Sequence, residues 1–285
     1  MIVVVNAALE LTTHVLVATL LAIILVGTGL GVRYRDRFIQ QLTADPRRRT
    51  RFYRDFIVQS WVTAAFVPLI AFVSADLSVI DLGWTWPSGD GIDYLLAAYM
   101  LVTTTVGALR ARRRTRRGEI IPIPVGTALI VPQTPHERRL SVAVAATAGI
   151  TEEAVYRGLL IAAGTRLYDL PLALVVTASL ALFVAAHAYQ GRKGMIGVAI
   201  LGALFTAIYL ISGSLLLAIM VHIWQNLVAL LLLPVRPSGP QPINDAGIQP
   251  GVETTGHAQR EPAATTDEEP PQPAPRHVLR PAVPD

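Results

Sequence analysis

The chain has no cysteine and a single lysine, Lys193, among its 285 residues. The first absence excludes disulfides, thiolate metal ligands and a cysteine nucleophile. Charge of either sign is also scarce, at 15% of residues, where soluble domains carry about 25%. With 52% hydrophobic residues, this composition excludes an ordinary soluble domain and points to an integral membrane protein. The net charge of +4 comes almost wholly from arginine. In so apolar a chain it is better read as membrane topology than as nucleic-acid binding. No basic residue precedes the first apolar run and no clear small-residue cleavage site ends it, so it is expected to remain as a span rather than act as a cleaved signal.

A spanning helix needs about 20 mostly apolar residues. Seven stretches qualify, some barely: 9–32, 56–75, 93–109, 140–163, 171–189, 195–211 and 215–233. The expected fold is an all-α polytopic membrane protein. Its parts are a three-span region over 1–117, a segment at 118–139, a four-span core at 140–233 and a tail at 234–285. The segment 118–139 is apolar but broken by Pro122, Pro124, Pro132 and Pro135, which argues for an interfacial or re-entrant course rather than a regular span. The tail holds 12 of the 20 prolines and is expected to be disordered.

The fourth stretch contains adjacent carboxylates, Glu152 and Glu153, followed by Arg157. Ionisable groups at bilayer depth cost several kcal/mol and mark functional sites by default. Glu153 and Arg157 are four apart, so they share a helical face and pair in the favourable order. Glu152 is turned by about 100° from Glu153 and has no equally good partner in its own helix. With Glu153 held ionised by the guanidinium, Glu152 is the better general base and Glu153 with Arg157 the supporting pair. Two further polar intrusions follow, His187 with Phe183 one turn before it, and His222 with Asn226 one turn after it. By contrast, Glu10 and His14 share a face without partners elsewhere, and His136 and Glu137 read as surface residues.

These side chains can bind and polarise a water, with Glu152 taking its proton, His187 orienting it, and His222 and Asn226 donating to the oxyanion of a peptide carbonyl under attack. Two histidines and a glutamate are equally the ligand set of a catalytic zinc, with Glu152, His187 and His222 as ligands, although no HExxH motif is present. Buried carboxylates and histidines also suit a proton-coupled transporter.

Taken in order, the pattern resembles a known family, the CAAX prenyl protease and bacteriocin-processing (CPBP, or Abi) intramembrane endopeptidases. Its Glu-Glu-x-x-x-Arg motif stands as Glu152-Glu153-Ala154-Val155-Tyr156-Arg157. Phe-x-x-x-His stands as Phe183-Val184-Ala185-Ala186-His187, and His-x-x-x-Asn as His222-Ile223-Trp224-Gln225-Asn226. The resemblance covers about 138–233. It implies a helical, membrane-embedded endopeptidase, often named a metalloprotease, acting on membrane-associated peptides or proteins. Glu152, His187, His222 and Asn226 would be catalytic and Glu153, Arg157 and Phe183 supporting. A non-catalytic immunity or scaffolding protein with the same fold is the alternative.

One feature conflicts with these span edges. By helical rise, Glu152 and His222 lie ~17–19 Å from the arginine-rich boundary but His187 only ~5 Å. Either the fifth helix runs past Gln190 or the fourth begins later. The arginine-rich segments 33–55 and 110–117 alternate with an acidic loop carrying Asp76, Asp81 and Asp90. This predicts a plasma-membrane protein with its N-terminus outside and its C-terminus cytoplasmic. A reporter fused after Val235 is therefore expected to read cytoplasmic and one inserted at 84–90 external. The reverse pattern would contradict this topology.

Overall fold

The computed structural model describes residues 2–45, 47–89, 91–121 and 123–233; the proline-rich tail lies outside them. The architecture is all-α, with no strand among the described residues. Its helices are α1 (Ile2–Arg33), α2 (Arg35–Ala44), α3 (Arg48–Ala64), α4 (Phe66–Val73), α5 (Ile92–Arg116), α6 (Val125–Leu129), α7 (Pro135–Glu152), α8 (Leu160–Ala162), α9 (Leu172–Ala186), α10 (Gly191–Ser212) and α11 (Leu215–Leu232). Helix α3 runs into α4 with a break at Ala65. Pro68 explains it, because it has no N–H to offer the carbonyl of Ala64.

All seven predicted stretches fall on helix. Among the described residues five helices are long and apolar enough to cross a membrane: Asn6–Arg33, Arg48–Val73, Ile92–Arg116, Ala188–Ser212 and Leu215–Leu232. The other two stretches differ for physical reasons. The helix at 135–167 carries Glu152, Glu153 and Arg157 in its middle, and α9 has only 15 residues, about 22 Å of rise.

That short helix also removes the conflict in depth. Neither expected adjustment holds, since α9 stops at Ala186 and α7 begins at Pro135, earlier than drawn. Instead α9 ends inside the molecule. Its closing 3₁₀ turn, Ala188–Gln190, is covered by α6, which packs against it. Gly126 makes this approach close: a Cβ there would lie 2.3 Å from the carbonyl oxygen of Tyr189. Phe38 of α2 adds an edge-on contact to the Tyr189 ring at 6.3 Å.

Helix α7 starts on a capping box. Thr134 Oγ1 accepts from the Glu137 N–H at 3.1 Å, and Glu137 accepts in turn from the Thr134 N–H at 3.1 Å, with Pro135 at the first turn. Glu137 is therefore not the surface residue expected from sequence. It is buried, and Arg49 Nη1 donates to it at 2.9 Å. Arg49 in turn serves packing as well as topology, its Nε donating to the Leu129 carbonyl at 2.8 Å. His136 is exposed, as read. His14 has a partner outside its helix after all, the Tyr168 hydroxyl at 3.3 Å.

Helix α7 packs tightly on α3 and α11. At the α7–α11 contact a Cβ on Gly149 would lie 2.5 Å from Ile223 Cγ1 and 2.9 Å from its backbone nitrogen, so a residue without a side chain sets the spacing. At the opposite end of the bundle, Arg166 pairs with Asp81 at 2.8 Å. The Ser78 hydroxyl and N–H, donating to Asp81, hold its carboxyl below the usual carboxylate range.

Candidate active site

The helix that begins as α7 widens after Glu152 into π-helical turns, Glu153–Leu159 and, after α8, Ala163–Leu167. Such turns leave backbone carbonyls to be satisfied from outside and are frequent at functional sites. Here Ser179 of α9 donates its hydroxyl to the Tyr156 carbonyl at 2.5 Å. Every side chain of Glu153–Leu159 is buried, so what they bond must be inside the protein.

Arg157 is 1% exposed and Glu153 0%. Their ion pair is 3.0 Å long, Arg157 Nη1 to Glu153 Oε1. The guanidinium is otherwise saturated. Its Nη2 donates to the Gly202 carbonyl at 3.0 Å and its Nε to Thr206 Oγ1 at 3.3 Å. It also lies 4.2 Å above the Phe183 ring, a cation–π contact strengthened by desolvation. Gly202 permits this approach, since a Cβ there would lie 2.8 Å from Leu180 Cδ1 and 3.0 Å from Phe183.

Glu153 does more than pair with Arg157. Its Oε1 lies 2.7 Å from His222 Nδ1. A carboxylate already held by a guanidinium accepts, so His222 carries its proton on Nδ1. The ring is stacked on Phe205 at 4.6 Å, 19° from parallel. His187, at the C-cap of α9, is held in the same sense: its Nδ1 lies 2.7 Å from the Phe183 carbonyl, which can only accept. The Phe183 ring packs against the imidazole at 4.7 Å. In its neutral form each histidine therefore presents a bare Nε2.

Those two nitrogens face Glu152. Its Oε2 lies 3.9 Å from His187 Nε2 and 3.8 Å from His222 Nε2. Both separations exceed hydrogen-bond reach, and Oε2 is buried with no hydrogen-bond partner. Three acceptors thus converge with no donor among them. Asn226, one turn past His222 on α11, is half-buried and bonds to none of the described residues. The structure thus brings together Glu152, Glu153, Arg157, Phe183, His187 and His222. It leaves the Asn226 amide free of hydrogen bonds.

The zinc alternative fares less well. Among the described residues no group of three or more His, Cys, Asp or Glu is arranged to hold a metal ion. Tetrahedral ligands at 2.0–2.1 Å would stand about 3.4 Å apart, closer than Glu152 stands to either histidine. As arranged here, the residues present do not fit that metal.

Thr206, Gly202 and Phe205, all on α10, are members of the cluster that sequence reasoning missed. A small residue and a hydroxyl four apart in an apolar helix, Gly202 and Thr206, were a usable signal for a helix approaching a buried charge. Phe205 carried none.

Residues 135–228 match a family model described as type II CAAX prenyl endopeptidase Rce1-like. This segment is an Rce1-like domain of the CAAX protease family. It spans about a third of the chain, from the capping box of α7 to within a turn of the end of α11, and contains the whole polar cluster. No curated protein and no solved structure matches the chain. Outside the Rce1-like domain, α1 to α6 supply the cover over the α9–α10 turn and the multi-pass membrane body.

The saturation of Arg157 generates a stability prediction for the Rce1-like domain. Arg157→Ala leaves Glu153 buried as an uncompensated charge and is expected to cost about 3–5 kcal/mol. Thermal unfolding in detergent is the measurement, and a midpoint unchanged from wild type would contradict the role given to the pair.

Proposed function

We propose that the protein is an intramembrane endopeptidase that hydrolyses a peptide bond with a water activated by Glu152 and the two histidines. The observation that carries this reading is the convergence of Glu152 Oε2 with the His222 and His187 Nε2 atoms, 3.8 and 3.9 Å from it. A buried water typically makes about three hydrogen bonds to groups otherwise unsatisfied. Among these three atoms it donates one hydrogen to Glu152 and the other to a histidine Nε2, turning a lone pair toward the substrate carbonyl.

Attack forms the carbon–oxygen bond as Glu152 takes the water proton. The oxyanion is met by the free Asn226 amide. His222, with its Nδ1 proton committed to Glu153, joins as a second donor only after its Nε2 has itself been protonated. Collapse breaks the carbon–nitrogen bond and the proton on Glu152 passes to the leaving amine, which restores the carboxylate. Glu153 and Arg157 touch no reacting atom in this scheme: they fix the tautomer and direction of His222.

The Rce1-like domain and the apolar spans support a membrane-associated peptide or protein as substrate. The arginine distribution supports a plasma-membrane location with the C-terminus cytoplasmic.

Glu152→Gln keeps the side chain's shape but removes its ability to take a proton. Peptide release by the purified variant is expected to fall at least about 10²-fold, the lower end of general-base contributions, with the thermal midpoint close to wild type. Retained turnover in Glu152→Gln beside an inactive, well-folded Glu153→Gln would exchange the roles of the two carboxylates.

A further inference from the structure

Away from the cluster, at the arginine-rich end of the bundle, a cleft of about 190 Å³ lies where the end of α11 meets the end of α5 and the loop leading into α7. Arg112 of α5, Arg138 of α7 and Gln133 line it together with residues 230–233. Nearby, Arg49 pairs with Glu137 at 2.9 Å and Arg114 with Glu119 at 2.6 Å. Arg112 and Arg138 pair with no carboxylate among the described residues and donate to no carbonyl there. They are thus not capping α11, whose last four carbonyls lack partners within the helix.

We propose that this cleft binds the phosphodiester headgroup of an anionic phospholipid that carries hydroxyl donors, of which phosphatidylglycerol is the simplest. Two unpaired guanidinia on one cavity match a phosphate, and arginine suits that anion through its fork of donors. A bare phosphate would meet the carbonyl end of α11 as repulsion. Glycerol hydroxyls instead turn those same carbonyls into acceptors. The position fits as well, because basic pockets between spanning helices at the membrane boundary hold lipid headgroups. This inference needs only the membrane body and does not depend on the proposed chemistry.

The test titrates the purified full-length protein in neutral detergent with phosphatidylglycerol, phosphatidylcholine or inorganic phosphate, following thermal unfolding and lipid retained in native mass spectrometry. Phosphatidylglycerol is expected to stabilise the wild type, and the other two to leave it unchanged. Apparent affinity should fall about tenfold or more in Arg112→Gln/Arg138→Gln. It should change less than about twofold in Arg113→Gln/Arg139→Gln, which removes the same charge from the exposed surface beside the cleft. Equal losses in the two double variants would overturn the proposal in favour of diffuse surface charge. Equal protection by inorganic phosphate would make this a free-anion site, and unchanged affinity in the first variant would remove it altogether. Arg112→Gln alone, on an exposed helix face, gives the same reading if the double variant folds poorly.

Discussion

A carboxylate and a guanidinium withdrawn from water together, as Glu153 and Arg157 are, each lose several kcal/mol of solvation that their mutual attraction alone does not return. The rest of the Rce1-like domain is arranged around supplying the remainder. Helix α10 contributes the Gly202 carbonyl and the Thr206 hydroxyl, α9 the face of Phe183, and α11 the His222 imidazole. Three elements are thereby tied to one buried pair. The same bonds that offset desolvation also orient the His222 imidazole, because the oxygen that holds Arg157 is the one that meets its Nδ1.

Two departures from regular helix make the arrangement geometrically attainable. The π-helical turns run over Glu153–Leu159, where seven consecutive residues are buried on all faces. The early end of α9 brings His187 near Glu152, with the Phe183 carbonyl one turn before accepting a hydrogen bond from its Nδ1. A turn inside a membrane protein carries backbone groups that lipid cannot satisfy, and the cover provided by α6 is the structural answer. The N-terminal helices thus help to keep the α9–α10 turn enclosed, although no cluster residue comes from them.

The apolar runs were legible because spanning helices are set by length and hydropathy, and the polar cluster because charge stands out against such a background. What the sequence did not disclose was mostly a matter of local geometry. Periodicity treats 135–167 as one regular helix, so the widened turns after Glu152 were invisible, and so was the contact between Glu153 and His222, 69 residues apart. The depth of His187 was misjudged because a 15-residue α9 had been drawn as a full span. Glu137 was misplaced at the surface although Thr134-Pro135-His136-Glu137 is a capping-box sequence, a signal present and overlooked. Arg49 was read only as part of a basic block, since nothing local reveals a partner 88 residues away.

The central claim is that Glu153, held by Arg157, fixes His222 with its proton on Nδ1 and leaves Nε2 bare toward Glu152. Nitrogen NMR of the ¹⁵N-histidine-labelled protein in lipid nanodiscs reads this directly, with His222 assigned by its loss in His222→Gln. The account predicts a protonated Nδ1 and a bare Nε2 at neutral pH, and loss of that preference in Glu153→Gln. A proton residing on Nε2 in the wild type, or a tautomer indifferent to Glu153→Gln, would contradict it.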